Sequence, residues 1–111
     1  MRQHLIGKDV FSYTVCCSFS ASEVAASWLR WLHEEHIQDV LDAGASSAEI
    51  FKMEDGLTYE VRYQFSSRLE FEQYERDHAP RLRQEGLQKF PLELGLVYSR
   101  TTGQRESQHG V

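Results

Sequence analysis

From Phe11 to Phe19 apolar and polar residues alternate: Phe11, Tyr13, Val15, Cys17 and Phe19 fall on one side, and Ser12, Thr14, Cys16 and Ser18 on the other. Strand side chains point in turn to opposite faces, so this is the pattern of a half-buried strand. Ser20 or Ser22 is placed to cap a helix over about Glu23 to Ala43, with Gly44 as its stop. A shorter strand is expected at about Ala48 to Glu54, and Asp55-Gly56 signals a hairpin. The third strand, Leu57 to Phe65, sets Leu57, Tyr59, Val61, Tyr63 and Phe65 against Thr58, Glu60, Arg62 and Gln64. A second helical stretch covers about Leu69 to Lys89, and a last strand about Leu92 to Tyr98.

The order β-α-β-β-α-β predicts an α+β fold of ferredoxin-like topology, a four-stranded antiparallel sheet with two helices on one face. One domain is expected over residues 8–100, followed by a polar, mobile tail at 101–111. An internal repeat supports the order. Ser12 to Ser20 aligns without gaps on Thr58 to Ser66, and Glu35-His36 through Gly44 aligns on Asp77-His78 through Gly86. The pattern is that of a duplicated unit.

Composition narrows the function classes. With 17 acidic against 12 basic residues the net charge is −5. That balance opposes binding to phosphate backbones and to anionic membrane surfaces. No apolar run is long enough to span a bilayer, and Met1 to Lys8 lacks the apolar core of an export signal. A cytoplasmic protein is expected, with neither nucleic acid nor membrane as partner. Cys16 and Cys17 are neighbours on one strand and point to opposite faces, so they read as packing residues.

On a helical wheel Ala25, Trp28, Leu29, Leu32, Val40 and Ala43 form an apolar stripe with His36 in its middle. In the second helix Phe71, Tyr74 and Leu82 form the stripe that holds His78. Both histidines should face the sheet. They read either as buried acid–base or ligand groups, or as core histidines whose ring nitrogens meet backbone carbonyls or a hydroxyl. Their equivalence in the two halves favours the architectural role, and Pro80 predicts a break near His78. Metal binding is not expected: His33-Glu34-Glu35-His36 lacks the four-residue histidine spacing, and Glu75-Arg76-Asp77-His78 occurs once.

Thr14, Cys16, Glu60, Arg62 and Gln64 share the sheet face away from the helices and are the candidate ligand-binding residues. That face is either solvated or turned towards a second subunit so as to enclose a polar cavity. There is no Gly-rich phosphate loop, no Gly-x-Ser-x-Gly elbow and no Cys-x-x-Cys, and no cofactor is implied. Tyr13, Tyr59 and Tyr63 fall on the helix-facing side, which argues against an open RNA-binding sheet.

The segments Trp28 to Leu32, Glu35 to Gly44, Thr58 to Tyr63 and His78 to Leu87 together resemble a family of short bacterial proteins of unknown function, grouped with the dimeric α/β-barrel superfamily. Gln38 departs from that family's His-Ile-Pro pattern, so the kink a proline implies is not carried over to the first helix. The resemblance implies a ferredoxin-like subunit and a homodimer whose sheets face each other. It leaves two functions open: binding of a small polar molecule between the sheets, or a cofactor-independent enzyme of the monooxygenase or isomerase type. No catalytic residue carries over, since fold likeness alone transfers no activity.

Overall fold

The alternating segments become strands and the striped segments become helices. The structure, a computed structural model, describes residues 10–110; the expected domain start at residue 8, the Met1 to Lys8 segment and Val111 lie outside the described residues. Strand β1 is Phe11–Phe19, β2 Ser47–Lys52, β3 Thr58–Phe65 and β4 Leu96–Gln104. Helix α1 is Ser22–Trp31 and runs through a π turn at Leu32–His36 into α2, Ile37–Asp42. Helices α3, Arg68–Asp77, and α4, Ala79–Lys89, follow β3. The sheet is four-stranded, in the order β2-β3-β1-β4, with every neighbouring pair antiparallel.

Four local features differ from the sequence expectation. No serine caps α1: Ala21 holds the N-cap position and Ser22 already lies in the helix. Strand β2 ends at Lys52, because Asp55 gathers the backbone N–H groups of Leu57 and Thr58, both at 2.9 Å, into the turn. The first helix is not regular, for the π turn widens it just before Ile37.

Strand β4 is displaced along the chain. Pro91 and a 3-10 turn at Leu92–Leu94 precede it, and Gly95 turns the chain at φ 94°. It then continues through Thr101 and Thr102 to Gln104, pairing Thr14 with Thr101 and Phe11 with Gln104. β-Branched residues on an edge strand favour that extension. The second helical stretch breaks at His78, as Pro80 requires: the His78 N–H bonds to Tyr74 O at 2.9 Å, and Leu82 N–H to His78 O at 3.1 Å.

Register explains the core. Val15 faces Val61 across β1 and β3, with Tyr13 opposite Tyr63 and Cys17 opposite Tyr59. Val15 and Val61 are also equivalent residues of the repeat, so the pseudo-two-fold axis relating the halves passes between them. The helix-facing residues Phe11, Tyr13, Cys17, Phe19, Tyr59, Tyr63 and Phe65 are buried beneath Trp28, Leu32, Val40, Phe71, Tyr74 and Leu82. Burying each such side chain contributes roughly 1.5–3 kcal/mol, which is why the stripes choose this face of the sheet.

Candidate functional site

A cavity of about 500 Å³ lies between the helices and the sheet. Its origin is visible in the cross-strand rows. Tyr59, Cys17 and Tyr98 form one row, Tyr63 and Tyr13 belong to another, and between them lies the row Val61, Val15 and Arg100. Short valines flanked by aromatic rings leave a trough across the middle of the sheet. Trp28, Trp31, Leu32 and His36 roof it from the first helix, and Tyr74, Leu82 and Arg83 from the second half. Gly86 adds no side chain where one would fill space: a Cβ there would stand 3.1 Å from Trp31 Cη2. Leu87, Leu92 and Val97 also line the cavity and are exposed, so its rim is apolar.

The π turn positions the most unusual polar group. Five residues apart on a regular α-helix, Trp31 and His36 would point about 140° from each other. Across the wider turn they stack, with ring centroids 4.4 Å apart and planes at 21°. Burial pushes the His36 imidazole down to about 4, so it is neutral near pH 7. Its Nδ1 is buried and has no hydrogen-bond partner among the described residues. The expected core histidine, satisfied by a carbonyl or hydroxyl, is therefore not what Nδ1 shows.

Arg83 is the second polar anchor. Its Nη2 donates to Tyr13 Oη at 3.1 Å and to Glu75 Oε2 at 2.5 Å, while its buried Nε has no partner among the described residues. Tyr98 Oη accepts from Trp28 Nε1 at 2.9 Å and shares a hydrogen bond with Cys17. Burial raises the Cys17 thiol to about 12, and Tyr98 likewise to about 12, so both stay protonated, and Tyr98 forms part of the cavity wall. Arg100 lies over the Tyr98 ring, 5.1 Å from its centroid.

The sequence-derived candidates lie elsewhere. Thr14, Cys16, Glu60, Arg62 and Gln64 do share one face, brought side by side by the pairs Thr14–Arg62 and Cys16–Glu60, but it is the face turned away from the cavity. There Arg62 donates to Glu60 at 2.8 and 3.0 Å and lies over the Phe51 ring at 4.0 Å. His78 is half-buried at the helix break, with Arg81 Nη2 3.5 Å from its Nδ1. No group of three or more His, Cys, Asp or Glu among the described residues is placed to hold a metal.

Trp31, Arg83 and Arg100 were not singled out by the sequence pattern. A signal did exist for Arg100, because the alternation Leu96, Tyr98, Arg100 continues past the expected end of the strand.

Fold and site together define a subunit of ferredoxin-like fold. The chain belongs to the family described as a domain of unknown function (DUF4286), which matches residues 11–101. No curated protein matches the sequence. Among solved structures, a dimeric ferredoxin-like protein from an uncultured marine organism is 12% identical, with 92% of this chain and 99% of that chain covered and a TM-score of 0.70. The ActVA-Orf6 monooxygenase of Streptomyces coelicolor, in complex with nanaomycin D, is 15% identical over 94% of this chain and 91% of that one, with a TM-score of 0.69. SnoaB, a cofactor-independent oxygenase from Streptomyces nogalater, is 8% identical over 93% and 97%, with a TM-score of 0.60. At such identities the likeness shows the fold.

Proposed function

We propose that the cavity between helices and sheet binds a small, flat, largely apolar molecule bearing at least one hydrogen-bonding group. The observation that carries this reading is the pair of unsatisfied atoms. Among the described residues, the buried side-chain nitrogens without a partner are His36 Nδ1 and Arg83 Nε, and both residues line this cavity. An unmet buried polar group costs about 1–3 kcal/mol, and two in one cavity call for a common explanation. A volume of about 500 Å³ walled by aromatic rings is within the range of small-molecule sites. The structural neighbour ActVA-Orf6 was solved in complex with a ligand, nanaomycin D.

Calorimetric titration with 2-naphthol tests the proposal, with saturable binding of one molecule per chain expected. Val15→Phe, which fills the trough from below, should abolish it without lowering the melting temperature. Binding that survives this substitution, or none in the wild type, contradicts the reading.

Catalysis is the second reading, favoured by the oxygenases among the structural neighbours. His36 weighs against it as a base. An imidazole that titrates near 4 is about six orders of magnitude too weak to deprotonate a phenol of ordinary pKa near 10. Dioxygen consumption with hydroxynaphthalenes separates the two.

The open sheet face forms the other half of the proposal. We infer that two chains stack these faces as a homodimer, with Thr14, Cys16, Glu60, Arg62 and Gln64 at the interface and enclosing its polar space. The Glu60–Arg62 ion pair supports this, since charges at a closed interface must be matched. His78 is assigned a structural role at the helix break. The free thiols of Cys16 and Cys17 suit a reducing, cytoplasmic setting.

A further inference from the structure

We propose that the molecule this cavity selects is an apolar or aromatic anion, with Arg100 as its counter-charge; this rests on the cavity being a ligand site. Among the described residues, the charged side chains lining the cavity are Arg83 and Arg100, and no aspartate or glutamate lines it, although the chain carries 17 acidic residues. The two arginines are not equivalent. Arg83 is already matched by Glu75. Arg100 has no ion-pair partner among the described residues and lies over the face of Tyr98.

Register places Arg100 opposite Val15, at the end of the valine row that floors the trough, so its charge lies along the axis of the cavity. Its field reaches the walls: it lowers the proton affinity of His36, Tyr74 and Tyr98, on both helical layers and on the sheet. A cation whose field enters a low-dielectric trough favours a negative group there far more than it would in water. The neutral His36 leaves no second titrating cation to duplicate that role.

The test compares 2-naphthoate with 2-naphthamide, which share size and ring system and differ in charge. Wild-type protein should bind the carboxylate at least about tenfold more tightly, a difference of about 1.4 kcal/mol. Arg100→Gln should erase that preference while leaving naphthamide affinity within about twofold, and Arg100→Lys should keep most of it. Equal binding of the two probes by the wild type, or a preference that persists in Arg100→Gln, overturns the anion proposal and leaves the cavity as a neutral-ligand site. Binding of neither probe overturns the cavity reading itself. Arg100 is exposed on an edge strand, and matched melting temperatures will show that both variants fold.

Discussion

Trp31 and His36 stack face to face across a π turn, 4.4 Å between ring centroids, and this contact fixes an uncharged imidazole against the wall of the cavity. Protonating that ring means charging a group shielded from water. Because its folded-state value, about 4, lies below the ordinary 6.5, the native state binds fewer protons than the unfolded chain between those limits. Stability associated with His36 is thus fully present above about pH 6.5 and is lost as pH falls towards 4.

Between pH 7 and pH 4.5 the wild type should therefore lose about 2 kcal/mol more stability than His36→Phe. Urea melts of both proteins at several pH values check this. Parallel pH profiles would show that the imidazole is not shielded.

Gly86→Ala should keep the fold. Alanine is the better helix former by about 1 kcal/mol, which offsets the crowding of a Cβ 3.1 Å from the Trp31 ring. The ring must shift, so the affinity for 2-naphthol should change several-fold while the melting temperature moves by no more than a few degrees. Calorimetry on the variant reads both.

Gly95→Ala should be costly. The residue sits at φ 94°, and a Cβ there would lie 1.9 Å from Ser20 Oγ. A loss of about 1–3 kcal/mol is expected, part of it recovered in the Ser20→Ala background, where the close oxygen is gone while the backbone strain and the 3.1 Å contact with the residue 20 Cβ remain. Chemical denaturation of the three variants measures the coupling.

Arg62→Glu should weaken self-association. It would put a further carboxylate between Glu60 and Glu49 on the proposed interface, and like charges brought together there cost several kcal/mol. Light scattering at micromolar concentration should show a wild-type dimer and a monomeric variant with an unchanged circular dichroism spectrum. A monomeric wild type would remove the interface.

Much of the fold was legible in the residues because strand period and hydrophobic stripe both report burial. Tyr13, Val15 and Cys17 alternate with serine and threonine, and the repeat that aligns Val15 with Val61 foreshadows the axis on which the sheet is built. The cavity was less legible for two physical reasons. A wheel drawn at the regular α-helical angle puts Trp31 off the apolar stripe, and only the π turn brings it round beside His36. Ending the last strand at Tyr98 leaves Arg100 beyond it, whereas its pairing with Val15 puts it on the cavity-facing row. The polar residues of the open face were found correctly as a group, but a period-two pattern says nothing about which side of a sheet holds a cavity.

The chain's two tryptophans, Trp28 and Trp31, both line the cavity, so tryptophan fluorescence reports from the walls of the proposed site. Titration with N-phenyl-1-naphthylamine, which accepts energy from indole, is the most direct test of the account. Tryptophan emission should fall in step with the rise in probe emission and saturate at one probe per chain. Saturable probe binding with unchanged tryptophan emission would place the ligand elsewhere and contradict it.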